Sequence, residues 1–149
     1  MTSEYLIKRL NQHILNLQYK SNGNQIQLCA SDELGFDINI HLDSIESMVY
    51  YGDSGFHEHI RLNHENQDEF ILSLILSLSG NFRIIEHYEN NKLKHCFLEE
   101  KLENEEWGTI STMRIPHWKF WKKETKVDTI IRVNNYEITF SDYHYNRSF

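Results

Sequence analysis

Between Asn66 and Gly80 the chain carries a segment that is apolar on nearly every side. Phe70, Ile71, Leu72, Leu74, Ile75, Leu76 and Leu78 are interrupted only by Ser73 and Ser77. A helix without a polar face has to be covered on more than one side. The segment therefore predicts a central helix packed into the core against a sheet. Its ends agree with that reading. Asn66 with Glu69 three residues later has the form of a capping box, and Gly80 stands where a left-handed residue closes a helix. The apolar run falls far short of the ~20 residues that span a bilayer.

The flanking sequence predicts mostly strands. Ser3 to about Gln18 reads as an amphipathic helix, with Leu6, Ile7, Leu10, Ile14, Leu15 and Leu17 on one face. Ser21-Asn22-Gly23-Asn24 stops it. Short strands follow at Gln25–Ala30, Phe36–Leu42, Ser47–Tyr51 and Phe56–Leu62; the second alternates Phe36, Ile38, Ile40 and Leu42 with polar residues. After the central helix, Phe82–Tyr88 and Leu93–Leu98 flank a hairpin signal at Glu89-Asn90-Asn91-Lys92. Trp107–Ile115 is a further strand, closed by the only proline, Pro116. Lys126–Val133 and Tyr136–Phe140 flank Asn134-Asn135, which reads as a tight turn. The expected class is α+β: one domain spanning residues 1–149, mainly antiparallel twisted sheet, with an N-terminal helix and a buried central helix. At 149 residues one core suffices without staples.

Charge narrows the function classes. The chain has 15 Lys and Arg against 22 Asp and Glu, a formal net charge of −7. Such a surface repels phosphate backbones and anionic membranes and attracts basic partners, so neither a nucleic-acid nor a membrane partner is expected. The N-terminus has no basic stretch followed by an apolar run, and two cysteines are too few for a disulfide framework. The expected location is cytoplasmic.

The candidate catalytic features each have a structural explanation. Gly52-Asp53-Ser54-Gly55 resembles the nucleophile motif of trypsin-like serine proteases over four residues, but Phe56 replaces the next glycine. His41 and Asp43 share one strand face and cannot line up behind the serine. The motif reads as a turn between strands. His57 and His59 point to the same side of a strand, with His64 nearby, and could converge on an ion. Arg61 on that face opposes it. Glu58 shares parity with Phe56, Ile60 and Leu62, so it belongs at a core rim or a bulge. His95 and Cys96 point to opposite faces, and Cys29 has no local partner. No phosphate loop, dinucleotide fingerprint or zinc motif occurs. The expectation is a protein without catalytic residues, metal ligands or cofactor.

Binding features are easier to find. Glu99, Glu100, Glu103, Glu105 and Glu106 crowd eight residues. Charges this dense repel one another, which suits a docking strip for a basic partner. Tyr50, Tyr51 and Asp53 are secondary anchor candidates, since tyrosines are favoured at interfaces. Trp118-Lys119-Phe120-Trp121-Lys122-Lys123 is aromatic and basic together, and Tyr143-His144-Tyr145 lies near the end of the chain.

In size, acidity, α+β pattern, aromatic content and its Glu99–Glu106 run, the chain resembles the immunity proteins of bacterial polymorphic and contact-dependent growth-inhibition toxin systems. The resemblance is one of type, over the whole chain, with no shared motif. It implies a non-catalytic protein that binds a cognate, basic toxin domain, such as a nuclease, and blocks its active-site cleft. The alternatives are a regulatory module for a small molecule or peptide, and a small metal-dependent enzyme built on His57, His59, His64 or Glu58.

Overall fold

The computed structural model describes residues 1–114 and 126–139. The chain runs through a helix α1 (Ser3–Asn11), five strands, a second helix and four strands. Strands β1 (Tyr19–Asn22), β2 (Gln25–Leu28), β3 (Ile38–His41), β4 (Ser47–Tyr51) and β5 (Phe56–Ile60) form an antiparallel meander in sequence order. Helix α2 (Gln67–Leu78) leads to β6 (Ser79–Glu89), β7 (Lys92–Lys101), β8 (Trp107–Arg114) and β9 (Val127–Asn135). These make a second antiparallel sheet in the order β8-β7-β6-β9. The α+β class expected from the sequence is the one observed, with five strands before the central helix and four after it.

One cluster of buried side chains joins both sheets and both helices. Helix α2 contributes Phe70, Ile71, Leu74, Ile75 and Leu78 and lies against β6. The meander contributes alternate residues, among them Ile26, Leu28, Ile38, Ile40, Val49 and Tyr51. The Tyr51 ring stacks parallel to Phe82 of β6, with centroids 6.4 Å apart, and so ties one sheet to the other. Gly80 has φ +84°, the left-handed geometry its position demands. The Asn90-Asn91 hairpin is also as expected: both residues have positive φ, the backbone a two-residue connection needs.

Several elements differ from the sequence reading. The first helix ends at Asn11 rather than near Gln18, although Ile14 and Leu17 stay buried beyond it. Asn16 turns the chain there with φ +55°. Strand β1 was hidden within a turn signal because all four of its residues are exposed, so it carries no alternation. Asn66 is the N-cap residue of α2, but its side chain accepts from the Asn63 backbone N–H at 2.8 Å and does not cap the helix.

Asn134-Asn135 is no hairpin turn: β9 runs straight through it. Asn134 is fully buried and clamps the β2–β3 loop. Its amide donates to the Phe36 carbonyl at 2.9 Å, and its oxygen accepts from Phe36 N at 3.1 Å and Ser31 N at 3.3 Å. An asparagine amide offers a donor and an acceptor side by side, so it can pair with a strand the way backbone does. Val133 N–H donating to the Leu34 carbonyl, and Asn135 N–H to Ser31 Oγ, complete the clamp. Pro116, the Trp118–Lys123 segment and Tyr143–Tyr145 lie outside the described residues.

Candidate functional site

The clamped loop forms one wall of a cleft between the two sheets. Asn134 and β9 hold the loop, the β4–β5 turn closes the opposite side, and β6, β7 and β9 make the floor. The cleft measures about 320 Å³. Among the described residues, Asp32, Glu33, Asp37, Asp53 and Glu86 line it with a single cation, Arg132.

These carboxylates differ in how they are held. Glu86 is 4% exposed and accepts from Arg132 Nε at 2.9 Å and from the Tyr88 hydroxyl at 3.2 Å. A buried charge needs such partners, because removing either one strands the other away from water. Burial pushes the Tyr88 hydroxyl above its ordinary range, and the Glu86 carboxylate beside it acts in the same direction. Asp37 is fully engaged with the Ala30 N–H, at 2.8 Å, and the Gln27 amide. Asp32 caps its own turn, accepting from Leu34 N at 2.8 Å. Glu33 and Asp53 are exposed at the rim. The cleft thus presents a fixed Glu86–Arg132 ion pair and a half-buried Asp37 beneath solvated carboxylates that can turn toward an arriving cation.

The predicted glutamate strip is divided by the fold. Glu99 and Glu100 are adjacent on β7 and point to opposite faces of the sheet. Glu99 is taken by Arg83, whose guanidinium reaches it at 2.6 Å while lying 4.2 Å over the Trp107 ring. Glu103, Glu105 and Glu106 occupy the exposed β7–β8 turn. There Glu105 pairs with Lys101 and Glu106 accepts from Asn104. The turn and the cleft stand at opposite ends of β7, roughly 25 Å apart at strand rise.

Tyr50 and Tyr51 separate in the same way. Tyr50 is half-buried on the outer face of the meander and stacks on His57, with centroids 5.5 Å apart. Tyr51 is 1% exposed, so its ring belongs to the core and cannot reach a partner. Its parity with Val49 and Ser47 turns it inward. Sequence reasoning found Asp53 but missed Asp32, Glu33, Asp37 and Glu86. Nothing in their spacing brings them together; the Asn134 clamp does.

The catalytic candidates do not assemble. Ser54 is buried, and among the described residues no histidine lies within hydrogen-bonding distance of it. His57 and His59 have ring centroids 5.3 Å apart; His57 faces the Gly55 carbonyl at 3.0 Å and His59 pairs with Glu46 at 2.9 Å. His64 is exposed in the loop before α2. Among the described residues no three His, Cys, Asp or Glu side chains are grouped to hold a metal. Cys96 is fully buried, and burial pushes its thiol up, away from the reactive thiolate. Glu58 sits half-buried where the sheets meet, with the Tyr51 hydroxyl 3.5 Å away. Burial holds its carboxyl above the ordinary range; the Tyr51 hydroxyl lowers it, and Glu100 raises it further.

No family model, curated protein or solved structure matches the chain. Among the described residues no helix is long and apolar enough to cross a membrane.

Proposed function

We propose that the protein is a non-catalytic binder of the immunity type, which neutralises a basic cognate toxin domain by occupying its substrate cleft. The observation that carries this reading is the cleft in which, among the described residues, five carboxylates line the wall and floor with one guanidinium, which Glu86 already engages. Such a socket suits a lysine or arginine that in the toxin would otherwise hold a phosphate. The carboxylates stand in for that phosphate, and the exposed Glu103, Glu105 and Glu106 add to the field that steers a basic partner inward. The seat of binding therefore moves from the Glu99–Glu106 strip to the rim formed by Asp32, Glu33 and Asp53.

The test is to read the genes flanking this chain's gene for a toxin domain and to co-express the chain with it; flanking genes without one would count against the reading. The expected result is restored growth and a stoichiometric complex on gel filtration, both lost in the paired variant Glu33→Lys/Asp53→Lys. Growth arrest unrelieved by the wild-type chain would refute the immunity reading. Protection retained by the paired variant would refute the cleft as its seat.

A further inference from the structure

The outer face of the meander carries a second depression, of about 530 Å³, which borders the cleft where Gln27 donates to Asp37 and does not depend on the proposed function. Strand register arranges its floor as two rows crossing the sheet. One is Asn22, Gln25, His41 and Met48; the other is Lys20, Gln27, Asn39 and Tyr50, with His59 and His57 next in register on β5, beyond the groove. Although the protein carries a net charge of −7, among the described residues no carboxylate lines this groove, Asp37 reaching it only through Gln27; Lys20 and His41 do line it. The groove is therefore suited to a polar ligand that is neutral at one end and anionic at the other.

The polar groups are placed for a flat ring. His57 covers one face of the Tyr50 ring. Tyr50 lines the groove and His57 does not; the Tyr50 hydroxyl donates to Met48 Sδ at 3.4 Å, and the ring face that His57 leaves uncovered is the one a ligand in the groove can stack on. Asn39 lies one strand spacing away, about 4.8 Å. A planar base stacked on that face would stand with its edge over the Asn39 amide. Among the described residues, neither Asn39 nor Gln25 is committed to a side-chain hydrogen bond. Asparagine and glutamine amides match the donor–acceptor edge of adenine, and aromatic rings stack on its face. Lys20 lies two further strands along the same row, roughly 10 Å from Asn39, within reach of a phosphate on that nucleoside. One lysine is too little to follow a nucleic-acid strand, which requires a cationic track.

We infer that the outer face of the meander is a purine mononucleotide site, with Tyr50 as stacking platform, Asn39 as base reader and Lys20 as phosphate contact. The test is calorimetric titration of the full chain with AMP, adenosine and inorganic phosphate, with NMR amide shifts to locate the response. AMP is expected to bind about two- to fivefold more tightly than adenosine, an advantage that Lys20→Gln removes. Tyr50→Ala is expected to weaken both ligands about tenfold. Its side chain lies on the outer face, so circular dichroism should show an intact fold. Asn39→Leu should lower the preference for AMP over UMP. No response to AMP at millimolar concentration overturns the inference. So does binding that Tyr50→Ala leaves intact, or shifts confined to the carboxylate cleft.

Discussion

Asn134 shows how much of this fold rests on single side chains. It is fully buried, and its amide pairs with both Phe36 N–H and Phe36 C=O. Asn134→Ala would leave those backbone groups unpaired away from water, at a cost of about 3 kcal/mol. Urea denaturation should show that loss, and a change within ~0.5 kcal/mol would contradict the clamp. Gly35 adds a second check. A Cβ there would meet Asn134 Oδ1 at 2.5 Å, so Gly35→Ala should cost less when Asn134 is already alanine. Glu58 gives a prediction in pH. Its folded-state carboxyl titrates above the ordinary 4.5, so the folded state holds the proton more tightly than the unfolded chain. The associated stability is complete below that ordinary value and is lost as pH rises through the folded one. Glu58→Gln should raise Tm at pH 7, with the gain fading by about pH 4. An equal gain at both pH values would show that the effect is not ionisation.

At the level of elements, what was legible in the sequence is what alternates or repeats. Strand β3 and helix α2 were readable because Ile38 and Ile40 recur every second residue and α2 is apolar all round. Strand β1, wholly exposed, gave no such signal, and the end of α1 was masked by apolar residues that stay buried after the helix stops. The candidate site was less legible still. It is assembled from a loop, a turn and three strands, so only Asp53, singled out beside a turn motif, was visible. The glutamate run was visible as composition, but the Arg83–Glu99–Trp107 arrangement sets one member aside for the sheet. Glu99→Ala should therefore lower stability by about 1 to 2 kcal/mol, leaving Arg83 without its carboxylate. Reversing Glu103 and Glu106 in the turn should stay within about 0.5 kcal/mol. Denaturation midpoints of the two sets would distinguish them, and equal losses would contradict the division of the strip. In α2, Leu74→Ala should cost about 3 to 5 kcal/mol, because the side chain is fully enclosed.

For the whole molecule, the distribution of charge matters more than its sum. The net −7 gathers in part at two places, the cleft and a solvated turn at the far end of β7, while among the described residues no carboxylate lines the groove on the outer face of the meander. This arrangement favours a basic partner approaching the cleft and leaves a separate surface for a different chemistry. The deciding measurement is the association rate of the chain with the basic toxin domain proposed as its partner, taken by stopped flow at low and high salt. The account predicts a rate that falls about tenfold or more as salt rises from about 50 to 500 mM, and a comparable fall for Glu33→Lys/Asp53→Lys at low salt. A rate indifferent to both salt and the paired reversal would contradict it.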